Sequence, residues 1–321
     1  MQTITLTHIQ AARERIAAHI VQTPTARDET LGRKLDAEVW FKWENHQTTG
    51  SFKLRGALNK LLSLQLADTS KVIAASSGNH GQGVAYAAHM LGLPAVIYVP
   101  DDTPPTKMRG MAQLGAEAVI VTGGYGATED AALAAARDSD ALWVSAYNDP
   151  IIIAGQGTLA LEWLEQVPAL NLLLVPVGGG GLVSGIGLAA KAIKPDIHIV
   201  GVQAANSAAL HEAFHGGDMD AVAHTHTLAH GLAGPVEAGS ITVPLVMQVV
   251  DEMILVDEDE IAEAVAYAYH AHKEIIEGAG AVGLAALLAG KINCAGRVMG
   301  LLISGGNIDV QEHAEILSRI A

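Results

Sequence analysis

From Lys71 onward the sequence alternates short apolar runs with longer amphipathic stretches, and this rhythm restricts the fold more than any other feature. "KVIAAS", "PAVIYVP", "AEAVIVTG" and "ALWVSA" are of strand length, and between them "NHGQGVAYAAHMLG", "PPTKMRGMAQLG" and "ATEDAALAAARD" have helical spacing. Apolar runs without polar alternation are strands covered on both faces. Strands separated by helices of this length imply parallel pairing through right-handed crossovers. The pattern predicts a small α/β unit over 71–146.

The rhythm then resumes. "GQGTLALEWLEQV" reads as helix, "NLLLVPVG" as strand, "LVSGIGLAAKAI" as helix and "HIVGVQA" as strand. "MILVDEDEIAEAVAYAYHAHKEI" reads as a strand entering one helix, "AVGLAALLAG" as helix, and "RVMGLLISGGN" as a strand running into a glycine turn. The fold class is therefore α/β, with two open parallel-sheet domains. The large domain takes 1–70 and 147–321, and the small one, 71–146, is inserted in it. In such sheets ligands bind beyond the carboxyl ends of strands. Three polar motifs fall there: "SSGNHG", "GGGG" and "SGGN".

Charge excludes some partners. A formal net charge of −15 disfavours nucleic acid and anionic lipid, both of which select basic patches. Cys294 is the single cysteine, so no disulfide forms within the chain and a reducing, cytoplasmic setting is expected. It lies in the polar-flanked turn "KINCAG" and is expected to be inert. The opening "MQTITLTHIQAARERIAAH" lacks the basic region and apolar run of a secretion signal. The uncharged run Leu172–Ala190 is the nearest approach to a membrane span, but its glycines and proline fit strand, loop and helix start better.

In "VPVGGGGLVSG" a strand meets four glycines and then a helix. Bare backbone amides and the helix N-terminus together make an anion cradle, most often for phosphate; tight turning alone is the other use of such glycines. No Lys-Ser/Thr follows at nucleotide-triphosphate spacing, and dinucleotide spacing appears only loosely at Gly185, Gly187 and Ala190, inside the helix. That argues against a dinucleotide oxidoreductase and for one phosphate. "SSGNHG" sets hydroxyls, an amide and an imidazole at a helix start. It suits a carboxylate, or merely caps the helix through Ser77 or Asn79. "SGGN" by itself is a strand-end turn. "TGSFKLRGALNK" sets Lys53 beside Phe52 and two residues before Arg55. An amine that attacks a carbonyl must first lose its proton, which burial and a nearby cation both promote. An isolated lysine here would otherwise be a solvated helix position.

Taken together, "TGSFKLRGA", "SSGNHGQGVAYAA", "IAGQGTLALE", "VGGGGLVSG", "EGAGAVGLAA" and "SGGN", in this order over nearly the whole chain, resemble the fold-type II pyridoxal-phosphate enzymes. The resemblance is to their serine/threonine dehydratase (threonine ammonia-lyase) and serine racemase branch, with the tryptophan synthase β-like architecture. It implies pyridoxal 5'-phosphate as cofactor, joined to Lys53 as a Schiff base and packed against Phe52. It implies that Asn79 bonds the ring's phenolic oxygen, that Gly178, Gly179, Gly180, Gly181 and the Leu182 amide cradle the phosphate, and that Ser304 faces the pyridine nitrogen. Glu277 and Gly280 would lie near the ring. Ser76, Ser77, Asn79 and His80 would receive the substrate carboxylate, with Ser77 on the face opposite Lys53, and His230 would contact substrate. The implied reaction removes water from a small 3-hydroxy amino acid, of L-threonine or L-serine type or 3-hydroxyaspartate, to give a 2-oxo acid and ammonia. Lys53 takes the α-proton. Amino-acid racemisation is the alternative on the same scaffold, and a non-enzymatic phospholigand or metal binder is the remaining one. A homodimer is expected.

The chain departs from the pattern in places. Many relatives have aspartate where this chain has His230. Positions where several hold a divalent cation with acidic residues are Gln203, Ser207 and Ala209 here, so no metal is expected. Thr128 stands where serine racemases have arginine, although Glu129 is kept, which weakens the racemase reading. No regulatory domain is expected after residue 321. His211, His215, His224, His226 and His230 cluster with Asp218 and Asp220, and read as a hydrated loop rather than a metal site.

Overall fold

A computed structural model describes residues 3–64 and 69–320. Residues 1–2, 65–68 and 321 of the expected large domain therefore lie outside the described residues. Among the described residues the larger sheet has six strands. They are β1 (Thr25–Arg27), β2 (Glu38–Trp43), β7 (Leu172–Pro176), β8 (His198–Ala204), β9 (Glu252–Val256) and β10 (Val298–Ile303), in the order β1-β2-β10-β7-β8-β9. The smaller sheet orders β3 (Lys71–Ala75), β4 (Ala95–Pro100), β5 (Glu117–Val121) and β6 (Ala141–Trp143) as β5-β4-β3-β6. All of its pairings are parallel, and its strands lie in sequence between β2 and β7, so the smaller sheet interrupts the larger.

Two expectations need correction. The larger sheet is not wholly parallel: β1 pairs antiparallel with β2, Ala26 opposite Phe41. β1 is an edge strand, joined to β2 through a short helix over Glu29–Leu35 that reverses the chain, so it pairs antiparallel. The helix expected to run on through "HAHKEI" also stops early. The α-helix is α11 (Glu258–Tyr267), followed by a π-turn over Ala268–His272 and by Lys273 at φ +61°. His272 holds the turn by bonding Asp28 at 3.0 Å, while its ring packs at a tilt against the stacked pair Phe41, 4.7 Å away, and Trp43, 5.3 Å away.

Burial explains why these sequences form these layers. In α12 (Gly278–Leu288) every residue from Gly278 to Leu287 is buried, as a helix apolar all round must be. Helix α7 (Pro150–Gln166) is likewise covered from Ile152 to Leu164, and its N-terminus is capped by Asp149, whose carboxylate accepts from the Ile151 and Ile152 amides. Helices α3 (Lys53–Leu62), α4 (Asn79–Leu91) and α8 (Gly181–Ile193) begin on the cleft between the sheets. Each follows one of the motifs singled out in the sequence.

Candidate active site

Backbone pairing brings the first and last motifs together. Ser51 bridges antiparallel to Gly305, the Phe52 amide donates to the Ser304 carbonyl at 3.1 Å, and the Gly306 amide to that of Gly50 at 2.9 Å. This fixes Lys53, the first residue of α3, beside the end of β10. The cleft it faces is lined also by Ser76 to His80, by Gly178 to Leu182, by the loop His230–Pro235, and by Glu277 and Ser304.

Lys53 Nζ donates to the Ala146 carbonyl at 3.0 Å and sits 5.4 Å from the centre of the Phe52 ring. Burial lowers its pKa to about 8, and Glu277 works in the opposite direction. Arg55 contributes nothing to this, contrary to the sequence expectation. Two residues along a helix is about 200° around its axis, so Arg55 points away, into a dry ion network with Glu44 and Glu162.

The tetraglycine is shaped for a ligand. Gly180 has φ +85°, and a Cβ on Gly179 would lie 2.5 Å from the Tyr147 ring. Helix α8 begins at Gly181 without a side-chain cap, and its first intrahelical bond runs from the Ser184 amide to the Gly180 carbonyl. Its leading amides are thus free to meet an anion, and Leu182 is the second residue of that turn. Ser304 is buried, lines the cleft, and among the described residues its hydroxyl has no partner. An unclaimed hydroxyl, an unclaimed helix N-terminus and a partly neutral amine around one cleft fit a phosphorylated aldehyde with a ring nitrogen.

The remaining expected residues are placed as follows. Asn79 Nδ2 donates to Glu277 Oε1 at 2.6 Å. Glu277 precedes α12, and burial pushes its carboxyl up, against the bond from Asn79. A Cβ on Gly280 would lie 2.7 Å from the Gly305 carbonyl, so α12 touches the strand-end turn there. The Ser76 hydroxyl accepts from the Gly78 amide at 3.1 Å, and Ser77 is half-buried on the cleft wall. His80 is buried with Nε2 2.9 Å from the Val144 carbonyl; burial first, and then Lys53, lower its pKa to about 3. Its ring is therefore neutral and carries its proton on Nε2, since a carbonyl only accepts. His230 stands at the cleft mouth, 2.8 Å from Glu312.

Sequence reasoning missed Lys107, Tyr125, Tyr147, Asn307 and Glu312, all of which line the cleft. Tyr147 and Asn307 follow strand ends, and that position could have pointed to them. Tyr125 bonds Glu129 at 3.4 Å, and burial, then Glu237, raises Glu129 to about 7. Gln203 accepts from the His211 amide and Ser207 from the Gly234 amide, so both positions serve the loop. The clustered histidines fall into pairs: the His211 and His215 rings lie 4.3 Å apart and those of His226 and His230 5.7 Å, His224 bonds Ser207, and the described residues contain no group of three possible metal ligands. Cys294 is buried and its thiol pushed up by burial.

The model of the "Pyridoxal-phosphate dependent enzyme" family matches residues 16–305. The L-threonine ammonia-lyase of Thermotoga maritima is 39% identical over 317 residues, covering 98% of this chain and 79% of that protein. The catabolic L-threonine dehydratase of Escherichia coli K12 is 37% identical over 316 residues, covering 98% and 96%. The solved structure of maize serine racemase superposes with a TM-score of 0.91 at 31% identity, over 99% of this chain and 98% of that one.

Proposed function

The chain belongs to the pyridoxal-phosphate dependent enzyme family, and on that premise we propose that it is a lyase removing water from a small 3-hydroxy amino acid. The substrate is of L-threonine or L-serine type, and the products are a 2-oxo acid and ammonia. The cofactor is pyridoxal 5'-phosphate; when bound it supplies an electron sink for the pair left at the substrate α-carbon. The observation that carries the reading is the Lys53 amine, buried at the cleft with its pKa lowered to about 8.

The protein's own groups divide the work. Lys53 would anchor the cofactor, and its amine, when free, would take the α-proton; a base poised near neutrality suits that task. The amides of Gly178, Gly179, Gly180, Gly181 and Leu182 hold the phosphate. Phe52 would pack on the ring, Asn79 would donate to its phenolic oxygen, and Ser304 would face its nitrogen, with Glu277 and Gly280 beside it. A hydroxyl there cannot keep the nitrogen charged as a carboxylate would, which favours elimination over transamination. Ser76, Ser77 and Asn79 receive the substrate carboxylate. His80 joins them through its backbone amide, since its ring proton is spent on Val144. His230 borders the substrate at the mouth.

Racemisation is the second reading. What supports it is Ser77, a hydroxyl on the same cleft as Lys53 and able to return a proton. We also infer a reducing, cytoplasmic setting, supported by the single cysteine, and a homodimer, for which the family resemblance is the support. The test is a keto-acid and ammonia assay over serine, threonine and 3-hydroxyaspartate, with chiral analysis of recovered substrate. Keto acid from at least one of them, lost in Lys53→Ala, is expected; none from any would end the lyase reading.

A further inference from the structure

We infer that Asn307 is a positioning residue that sets which end of the Asn79 amide meets the cofactor. The inference rests on the assignment of Asn79 to the ring's phenolic oxygen. Across the floor of the cleft, Asn307 Nδ2 donates to the Thr49 carbonyl at 2.8 Å and to Asn79 Oδ1 at 2.7 Å; Asn79 Nδ2 in turn donates to Glu277 Oε1 at 2.6 Å.

Chemistry fixes the direction of this chain at one end. A carbonyl only accepts, so the group of Asn307 that faces Thr49 is its NH2. The oxygen of Asn79 must then face Asn307, and its NH2 faces Glu277. One hydrogen of that NH2 goes to Glu277. The other is left to point into the cleft. Without Asn307 the Asn79 amide keeps only its bond to Glu277, and an amide that turned over would present its own oxygen to the anionic oxygen it should hold.

The backbone makes room for the chain at two glycines. Gly50 has φ +72°, and a Cβ on it would lie 2.4 Å from Asn307 Oδ1. On Gly305 a Cβ would lie 2.4 Å from Glu277 Oε1 and 3.2 Å from Asn79 Nδ2. The glycines of "TGSFK" and "SGGN" thus seat a hydrogen-bonded chain joining the lysine loop, α4, the end of β10 and the start of α12.

Two readouts test the inference, with Asn79→Ala as reference. In cofactor-loaded protein, the absorbance-detected pH midpoint of the bound chromophore is expected to rise by about one unit in Asn307→Ala and in Asn79→Ala, the size of one lost hydrogen bond to an ionised oxygen. In cofactor-free protein, the side-chain amide protons of Asn79, followed by NMR after selective labelling, are expected to lose their protection from exchange in Asn307→Ala. Asn307→Ser, too short to span both acceptors, carries the same expectations should the alanine variant fold poorly. A midpoint that moves in Asn79→Ala but not in the Asn307 variants overturns the inference. So does an Asn79 amide signal unchanged by them. A midpoint unmoved in Asn79→Ala removes the assignment of Asn79, and the inference falls with it.

Discussion

Arg55 forks onto Glu44, donating from Nε at 2.9 Å and from Nη2 at 2.7 Å, and neither side chain reaches solvent. Arg55 also reaches Glu162 at 3.0 Å, and Lys42, fully buried, pairs with Glu162 and donates to the Thr23 carbonyl. Two cations and two carboxylates balance beneath the helix that begins at Lys53. Removing one partner strands a buried charge, so Arg55→Leu is expected to destabilise the protein by about 3–5 kcal/mol in urea unfolding. A loss under about 1 kcal/mol would show that water replaces the guanidinium. Burial raises the Glu44 carboxyl, but Arg55's charge and hydrogen bonds outweigh it and hold the group low. A depressed carboxylate adds stability above its unfolded pKa and loses it as pH falls through the folded value. The stability gap between the parent and Glu44→Gln should therefore narrow below about pH 4.

The sheets were legible because covered parallel strands cannot be mistaken for alternating ones, and "SSGNHG", "GGGG" and "SGGN" follow β3, β7 and β10, the strands that the rhythm assigned. What was not legible depends on partners far away in sequence. The π-turn over Ala268–His272 answers to Asp28, and no local residue announces it. β1 is three residues long, too short for any period. Arg55 is close to Lys53 in sequence but not in space, because the helix turns it to the other side. The orientation of Asn79 needs Thr49, Glu277 and Asn307 at once, from three parts of the chain.

The lowered pKa of Lys53 can be read without turnover. In cofactor-free protein, its modification by an amine reagent, followed by peptide mass mapping, should be half-maximal near pH 8, as burial dictates. Ordinary lysines reach that point only near about pH 10.4. Between the two values the unfolded chain holds a proton that the folded chain has lost, so Lys53 adds stability as pH rises through this window. Lys53→Met should remove that rise while leaving a folded protein. Reactivity that tracks the surface lysines would place the amine in water and undo the base assignment.

Ser304→Asp probes the ring nitrogen. Ser304 is buried on the cleft, beside the Phe52 amide that its carbonyl holds. A carboxylate there would stabilise a protonated nitrogen and draw charge into the ring. The variant is expected to shift the absorbance of the loaded cofactor and to slow elimination by about tenfold or more, equivalent to about 1.4 kcal/mol in the barrier. An unchanged spectrum would mean that Ser304 does not meet the nitrogen.

Gly179→Ala tests the phosphate cradle. The added Cβ would lie 2.5 to 2.7 Å from three atoms of the Tyr147 ring, well inside contact distance. The ring cannot swing clear, because its hydroxyl accepts from the Glu237 amide at 2.8 Å and the side chain is buried. The glycine loop must move instead, and the amides that meet the phosphate move with it. Cofactor affinity, measured by equilibrium dialysis, should fall at least about tenfold, or about 1.4 kcal/mol. Combining it with Tyr147→Ala removes the obstacle, so the two losses should be less than additive in a double-mutant cycle. Strict additivity would show that Tyr147 is not the wall that positions these glycines, and undiminished affinity in Gly179→Ala would move the phosphate site elsewhere.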